Sequence, residues 1–399
     1  MSNDLRPDAP QLTLVRDAHP AGMPYGEQST VVHVVGARPN FIKMAPVISA
    51  LQDRGVFRQV LVHTGQHYDR RMSDEILADL DFPEPDHFLA VGSGAHGEQT
   101  AKVLAAFERV LMDVEPTFVV VAGDVNSTLA CALAASKLGI PIAHVESGLR
   151  SFDWTMPEEI NRVLTDRLSD LLFTHSPEGL ENLRAEGVEE SRVHFVGNTM
   201  IDSLRRCERR ARMRQVAMGL GIEPGSYILV TLHRPSNVDD PVRLRGIVDG
   251  LVELASAQPV IFPIHPRTRA RLAAEGDLER LEAAGAHCIE PVGYLDFLSL
   301  QADAGAVVTD SGGVQEETSA LGVPCYTFRA NTERPITITH GTNTLLGDDP
   351  SELGSIRVAG WAPTPSAISL WDGRASERLA DVLVANYALC AAPAVQERR

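Results

Sequence analysis

The chain has 399 residues, 44% hydrophobic and 22% charged, an ordinary globular composition long enough for two domains with a sizeable core. A net charge of -17 argues against nucleic acid or an anionic membrane surface as the main partner, but allows a small anionic ligand held by local arginines and helix ends. The five cysteines are scattered, with no CxxC and no Cys/His cluster, so neither a disulfide framework nor a zinc site is indicated.

Residues 1–29 carry charges and four prolines without an apolar core, and read as a disordered leader rather than a signal peptide. No apolar run reaches the ~18 residues of a membrane span, so a cytoplasmic enzyme is the expectation. From there, short apolar runs alternate with helical patterns. Val31–Val35 reads as a strand, followed by the turn Gly36-Ala37-Arg38-Pro39 and a helix near Asn40–Gln52. Val60–Val62, Thr117–Val121, Ile142–Val145, Leu171–Thr174 and Val193–Val196 are further strands, with a helix near Ser127–Leu138. Residues 200–222 form a basic helical connection. The pattern then restarts with strands at Tyr227–Leu232, Pro259–Pro263, His287–Pro291, Gly305–Thr309 and Val323–Phe328, and a helix over Ala375–Ala391 closes it.

Continuous rather than alternating apolar strands, each followed by a helix, predict parallel sheets covered on both faces. The expected architecture is α/β, with two Rossmann-like doubly wound domains facing a cleft. Residues 30–198, joined by a returning C-terminal helix at about 375–395, would form the first domain, and residues 199–374 the second. Ligands of such sheets sit beyond the carboxyl ends of the strands.

The polar residues collect at those ends. Arg38, Gln66-His67, Asp124, Glu146, His233-Arg234, His265 and Asp310-Ser311-Gly312-Gly313 each follow a predicted strand. Arg38 at a strand-to-helix turn suits a phosphate, as do the glycines that open a helix after Asp310. The alternatives are a surface arginine and a plain helix cap at Asp310 or Ser311. Residues 144–162, HVESGLRSFDWTMPEEINR, concentrate four acids, two arginines and a histidine between a strand and a helix. Such a loop is costly unless its charges meet a ligand or each other. The bland alternative is a capping box in Thr155-Met156-Pro157-Glu158, with Glu158 merely closing a helix end. No GxGxxG, P-loop, HExxH or GxSxG is present, so nicotinamide, P-loop, zinc-protease and serine-hydrolase chemistry have no motif support.

Taken together, GARPNFIKMAPV (36–47), TGQHYD (64–69), GDVNSTLA (123–130), HVESGLR (144–150), MPEEINR (156–162), VGNTMID (196–202), LHRPSNVD (232–239), FPIHPRTR (262–269), TDSGGVQEE (309–317) and ERPIT (333–337) resemble the non-hydrolysing UDP-N-acetylglucosamine 2-epimerase family. The resemblance runs from about Val31 to Gly347. It implies a GT-B-like fold and inversion of C2 of the sugar, interconverting UDP-GlcNAc and UDP-ManNAc through UDP elimination, a glycal intermediate and re-addition. It implies no cofactor and no metal, a UDP-sugar as partner, a homodimer, and a place in cell-surface polysaccharide synthesis. By motif position Asp124, Glu146 and Glu158 match the family's catalytic acids, and His233 its functional histidine near the diphosphate. Arg38, Lys43, His265, Ser311, Gly312, Gly313 and Arg334 fall at nucleotide-binding positions, Glu317 at the ribose and Phe297 near the uracil. Gln66 and His67 match a loop that in some members binds an activating second UDP-GlcNAc, although YDRRMS departs from that subset. Many members carry Thr and Glu where this chain has Ala37 and Asn40, so no acid–base role falls on position 40. One of the three acids is expected to have a raised pKa through crowding. A hydrolysing epimerase that releases ManNAc and UDP, and a GT-B glycosyltransferase, are the rival readings.

Overall fold

The computed structural model describes residues 29–66, 70–358 and 368–391; the expected leader therefore lies outside the described residues apart from its last position. The first sheet is built from β1 (Thr30–Val35), β2 (Arg58–His63), β3 (His87–Phe88), β4 (Phe118–Ala122), β5 (Ile142–Ser147), β6 (Leu171–Thr174) and β7 (Val193–Phe195), in the order β3-β2-β1-β4-β5-β6-β7. The second holds β8 (Ile228–Thr231), β9 (Val260–Pro263), β10 (Ala286–Ile289), β11 (Ala306–Thr309), β12 (Cys325–Thr327) and β13 (Asn343–Leu345), in the order β10-β9-β8-β11-β12-β13. Neighbouring strands pair in parallel in both. The central strands are buried along their whole length, as TVVHVV, FVVVA and AVVT require when helices cover both faces. Both sheets are thus doubly wound, and strand order reverses between β1 and β4 and between β8 and β11, where such sheets take their ligands.

The helix after β1 spans Arg38–Arg54, longer than the sequence pattern suggests, and runs through Pro46 without ending. A proline there cannot donate to the carbonyl four residues back. The Ser203 hydroxyl donates to that orphaned Ile42 carbonyl instead, at 2.5 Å. Ser203 lies on Thr199–Arg212, the helix that leads from one lobe to the other and is capped by the Asn198 side chain at Met200 N (2.9 Å). The final helix, Ala375–Ala391, returns to the first lobe. Its first turn is held by Asp202, which accepts from Ala375 N (3.1 Å) and Ser376 N (2.6 Å), and further along Arg54 Nε donates to Asp381 Oδ1 (2.9 Å). The helices Arg70–Asp79 and His96–Val114 and the edge strands β3 and β13 are additions to the sequence reading.

Candidate active site

At the end of β1 the chain turns through Gly36, where a Cβ would stand 2.9 Å from Ser127 Cβ, so only glycine permits the approach. Asn40 fixes this turn. Its Oδ1 accepts from Gly36 N (3.1 Å) and Ala37 N (3.0 Å), and its Nδ2 donates to Ala122 O (2.9 Å) on the neighbouring β4. Position 40 is a bracket between strand ends. One turn further along, Lys43 is buried and ion-paired with Glu146. Arg38 opens the helix and is exposed.

Glu146 sits at φ 68°, in the left-handed region that a non-glycine residue seldom adopts, and the β5–β6 register shifts across it between Val145 and Ser147. This bulge turns the carboxylate out of the sheet and over the strand ends. Gly123, also at φ 68°, makes the matching turn after β4; a Cβ there would lie 3.1 Å from Lys43 Nζ and 3.4 Å from Glu146 Oε2. The next residue, Asp124, pairs with Arg162 (Nη2–Oδ2, 2.5 Å), and Asn161 Nδ2 donates to its carbonyl (2.9 Å).

The capping-box alternative for Glu158 is overturned. The helix Pro157–Leu168 begins one residue later than that motif requires, with Met156 as cap and no side-chain cap bond. Glu159, the third helical residue, reaches back to Ser151 N (2.9 Å) and Phe152 N (2.9 Å) and pairs with Arg162 (2.6 Å). Glu158 is left exposed on the first turn, and its charge acts on Arg234 of the second lobe.

The second rim is organised by Asp310. Fully buried, its carboxylate accepts from His233 N (3.0 Å), Arg234 N (2.9 Å) and Asn237 Nδ2 (3.0 Å), and lies 3.1 Å from His233 Nδ1. Burial opposes its charge, but the His233 bond and the further donors outweigh this and hold the carboxyl below the usual range. His233 itself is half exposed, while His265 caps the helix Pro266–Ala274 and accepts from Arg267 N (3.3 Å). Asp310 is therefore no helix cap for Gly312–Leu321. That helix is capped at Ser311 without a side-chain bond, and Arg334 packs on its first turn, its Cζ 2.8 Å from where a Gly312 Cβ would lie. Gly313 abuts the Met200 methyl, 3.0 Å from its own would-be Cβ. Glu317, three residues beyond Val314 on this helix, is buried, with Tyr294 OH (3.2 Å) and Gln301 Nε2 (2.8 Å) donating to its two oxygens. Burial raises its carboxyl to about 7. Phe297 is half-buried against the same core.

The rims meet through charge. Arg334 donates to Glu146 Oε1 (2.9 Å) across the cleft, stands 3.1 Å from Glu316, and pairs with Glu333. His175, after β6, lies 3.3 Å from Glu316. Burial disfavours the Glu146 charge, yet Lys43 and Arg334 on either side hold the carboxyl below its ordinary range. The expectation of a crowded, raised acid is not met at Glu146, because two cations flank it. Glu333, between Arg334 and Arg329, is likewise held far down against its burial. Removing one member of such a buried set leaves an uncompensated charge, at a cost of about 3–5 kcal/mol.

Gln66 is buried, with Oε1 accepting from Ser127 N (2.9 Å) and Ser127 Oγ (2.7 Å); His67 lies outside the described residues. Among the described residues no group of three or more His, Cys, Asp or Glu is placed to hold a metal, and no helix is long and apolar enough to cross a membrane. Sequence reasoning gave no role to Glu316, Glu333, Arg162 or His175. The first three stand inside the motifs QEE, ERP and INR; His175, in THSPE, lies outside the quoted motifs, and its partner is far away in sequence.

Two open parallel sheets that carry their polar residues past reversed strand ends and face one another across a charged cleft define the GT-B-like class of sugar-nucleotide proteins. A family profile described as UDP-N-acetylglucosamine 2-epimerase matches residues 49–384. A UDP-N-acetylglucosamine 2-epimerase of Methanocaldococcus jannaschii is 46% identical over 327 residues, covering 80% of this chain and 89% of the relative. A UDP-2,3-diacetamido-2,3-dideoxy-D-glucuronate 2-epimerase of Pseudomonas aeruginosa is 45% identical over 321 residues, covering 79% and 88%. The crystal structure of the M. jannaschii UDP-GlcNAc 2-epimerase in complex with UDP-GlcNAc and UDP superposes with a TM-score of 0.81 at 41% identity, covering 89% of this chain and 99% of that one. The chain belongs to the UDP-N-acetylglucosamine 2-epimerase family and is an epimerase.

Proposed function

We propose that this epimerase is non-hydrolysing, and inverts C2 of a UDP-2-acetamido sugar by expelling UDP and adding it back. The observation that carries the reading is the opposition of the rims: Asp124, Glu146 and Glu158 on one, His233, Arg334 and the Gly312 helix start on the other, joined at Arg334–Glu146 (2.9 Å). The C2 hydrogen has no neighbouring carbonyl, so its direct removal is slow. Cleaving C1–O first makes C1 oxocarbenium-like and the C2 hydrogen acidic. Carboxylates then stabilise the sugar cation and take the proton, as paired carboxylates do in glycoside hydrolysis. Helix amides and cations hold the departing diphosphate. Protonation of the glycal on its other face and return of UDP give the C2 epimer.

In this reading Glu146, kept ionised by Lys43 and Arg334, stabilises the cation, while Asp124 and Glu158 exchange the proton. Arg334, lying between Glu146 and the Gly312 turn, is positioned to pass from carboxylate to diphosphate as UDP leaves. Arg38, Lys43, His233, His265, Ser311 and Gly313 complete the nucleotide's surroundings, with Glu317 toward the ribose and Phe297 toward the uracil. Residues 30–198 with the final helix form one lobe, and residues 199–374 the other. A cytoplasmic homodimer serving cell-surface polysaccharide synthesis belongs to the same reading and rests on the family resemblance. Regulation through the Gln66 loop draws no support from the buried Gln66 side chain.

The name of the P. aeruginosa relative extends the candidate substrates to a diacetamido uronate. The test is to incubate UDP-GlcNAc and the UDP-diacetamido uronate separately with the enzyme in deuterated water and follow the products by NMR. One of them acquires deuterium at C2 and yields its UDP-linked epimer. Free sugar accumulating in step with UDP would instead make the enzyme hydrolysing.

A further inference from the structure

His144 belongs to no surface. It lies within β5 with no exposed area, two residues before Glu146, and nothing in the reaction above uses it. Its ring spans two acceptors: Nδ1 is 2.6 Å from Asp166 Oδ1, and Nε2 is 2.8 Å from the Gly123 carbonyl. A carbonyl oxygen only accepts, so Nε2 carries a proton there. Asp166 is ionised: burial opposes its charge, but the His144 bond and Arg150 hold the carboxyl below the usual range. A carboxylate oxygen accepts, so the 2.6 Å contact faces Nδ1 with an acceptor as well. The other Asp166 oxygen takes Gly148 N (3.0 Å) and Arg150 Nη1 (2.8 Å). Arg150 is fixed in turn by Glu186 (2.6 Å). The charged groups facing the ring are thus Asp166 directly, and Arg150 and Glu186 behind it.

We infer that His144, protonated on both ring nitrogens, is a positioning residue that ties the Gly123 turn carrying Asp124 to the Glu146 bulge through the single carboxylate of Asp166. Asp166 grips Gly148 just beyond Glu146 and, through the imidazole, Gly123 just before Asp124. Both turns are in the left-handed region, with Gly123 and Glu146 at φ 68°. Glycine adopts such backbone freely, whereas at Glu146 it persists only where surrounding contacts over-determine it. The ring lends its two N–H groups to this purpose and touches no cleft surface.

The inference rests on Asp124 and Glu146 being reacting acids, and two variants test it. In His144→Gln the amide nitrogen replaces Nε2 and keeps the Gly123 bond; in His144→Asn it replaces Nδ1 and keeps the Asp166 bond. The expected result is that both variants lose ~100-fold in kcat with UDP affinity unchanged, since each cuts one of the two bonds of the bridge and a small misplacement of reacting groups follows. Both variants lose similar thermal stability, and a fall in stability with kcat unchanged would mark a merely structural role. A kcat within ~5-fold of wild type in either variant overturns the positioning role. Independently of any turnover, ring-nitrogen NMR of the wild type shows two protonated nitrogens for His144, and a single ring N–H overturns the bridge. If neither variant folds, Asp166→Asn carries the test: the ring returns to one proton and kcat falls while UDP still binds, and an unchanged kcat contradicts the inference. Failure of epimerisation in the wild type with the two-proton ring present would count against the proposed reaction and not against the bridge.

Discussion

In the first lobe a buried aspartate, Asp166, fixes the loops that present acids; in the second, Asp310 fixes the loops that present cations. Both are held ionised against their burial by histidine and by further donors, and both bind backbone N–H groups at the ends of sheet strands. The same scaffolding serves opposite charges because the second layer differs. The bulge at Glu146 aims a carboxylate outward, whereas Asp310 turns its own charge inward and leaves His233 and Arg234 facing the cleft. The rims then neutralise one another at Arg334–Glu146, so neither is complete alone. A reaction that creates a sugar cation and an expelled diphosphate together needs such a divided site.

The comparison breaks most sharply at Glu146. Glu146→Gln removes the carboxylate that Lys43 and Arg334 share, and C2 exchange is expected to fall by ~1,000-fold through lost electrostatic stabilisation of the sugar cation. Stability is expected to drop by about 3 kcal/mol, because buried Lys43 loses its partner and Arg334 one of three. Calorimetry with UDP and thermal unfolding separate these effects, and a near-wild-type rate would remove Glu146 from the chemistry. Next come Asp124→Asn and Glu158→Gln, each expected to cost ~100-fold in turnover with UDP binding kept, read by steady-state kinetics and UDP titration.

Glu317 sharpens the contrast, since it is a buried acid of the second lobe that burial raises with no cation acting on it. Its carboxyl moves from 4.5 to about 7, so the folded form holds a proton that the unfolded chain releases between those values. This contribution is full below pH 4.5 and is lost as pH rises toward and through 7. Relative to wild type, Glu317→Gln should therefore gain about 3 kcal/mol between pH 4.5 and pH 8. Denaturant unfolding at both ends of that range checks it, and a constant difference would show that the carboxyl titrates normally. The smallest effect belongs to Thr155→Ala. Because Met156, not Thr155, caps the following helix, stability should change by less than about 0.5 kcal/mol and activity by less than ~2-fold.

The doubly wound order was legible because β1, β4 and β11 are near-continuous apolar runs, and because polar residues begin abruptly where those runs end. Two of the four edge strands were not: β3 has two residues and β13 three, whereas β7 and β10 overlap expected strands. The strand-end acids were legible one at a time. What escaped was who holds whom. Glu158 and Glu159 are indistinguishable as letters, and a one-residue shift in the helix start decides which holds the Ser151–Phe152 loop and which faces the cleft. The Glu146 bulge has no letter of its own, since a glutamate at positive φ depends on Lys43 and Arg334 arriving from elsewhere. His175 with Glu316 is a pairing made between the two lobes, and His144 with Asp166 one made by the helix that packs back on β5, rather than by local sequence.

The most direct measurement of the divided site is positional isotope exchange. UDP-GlcNAc carrying ¹⁸O in the oxygen between C1 and the β-phosphorus is incubated with the enzyme, and the β-phosphorus is followed by NMR. If C1–O breaks and UDP is held by the cationic rim, the label moves into the non-bridging positions, and Glu146→Gln slows that movement together with C2 exchange. Deuterium entering C2 while the label stays in the bridge would mean that the C1–O bond never opens, and the account of the two rims would fail.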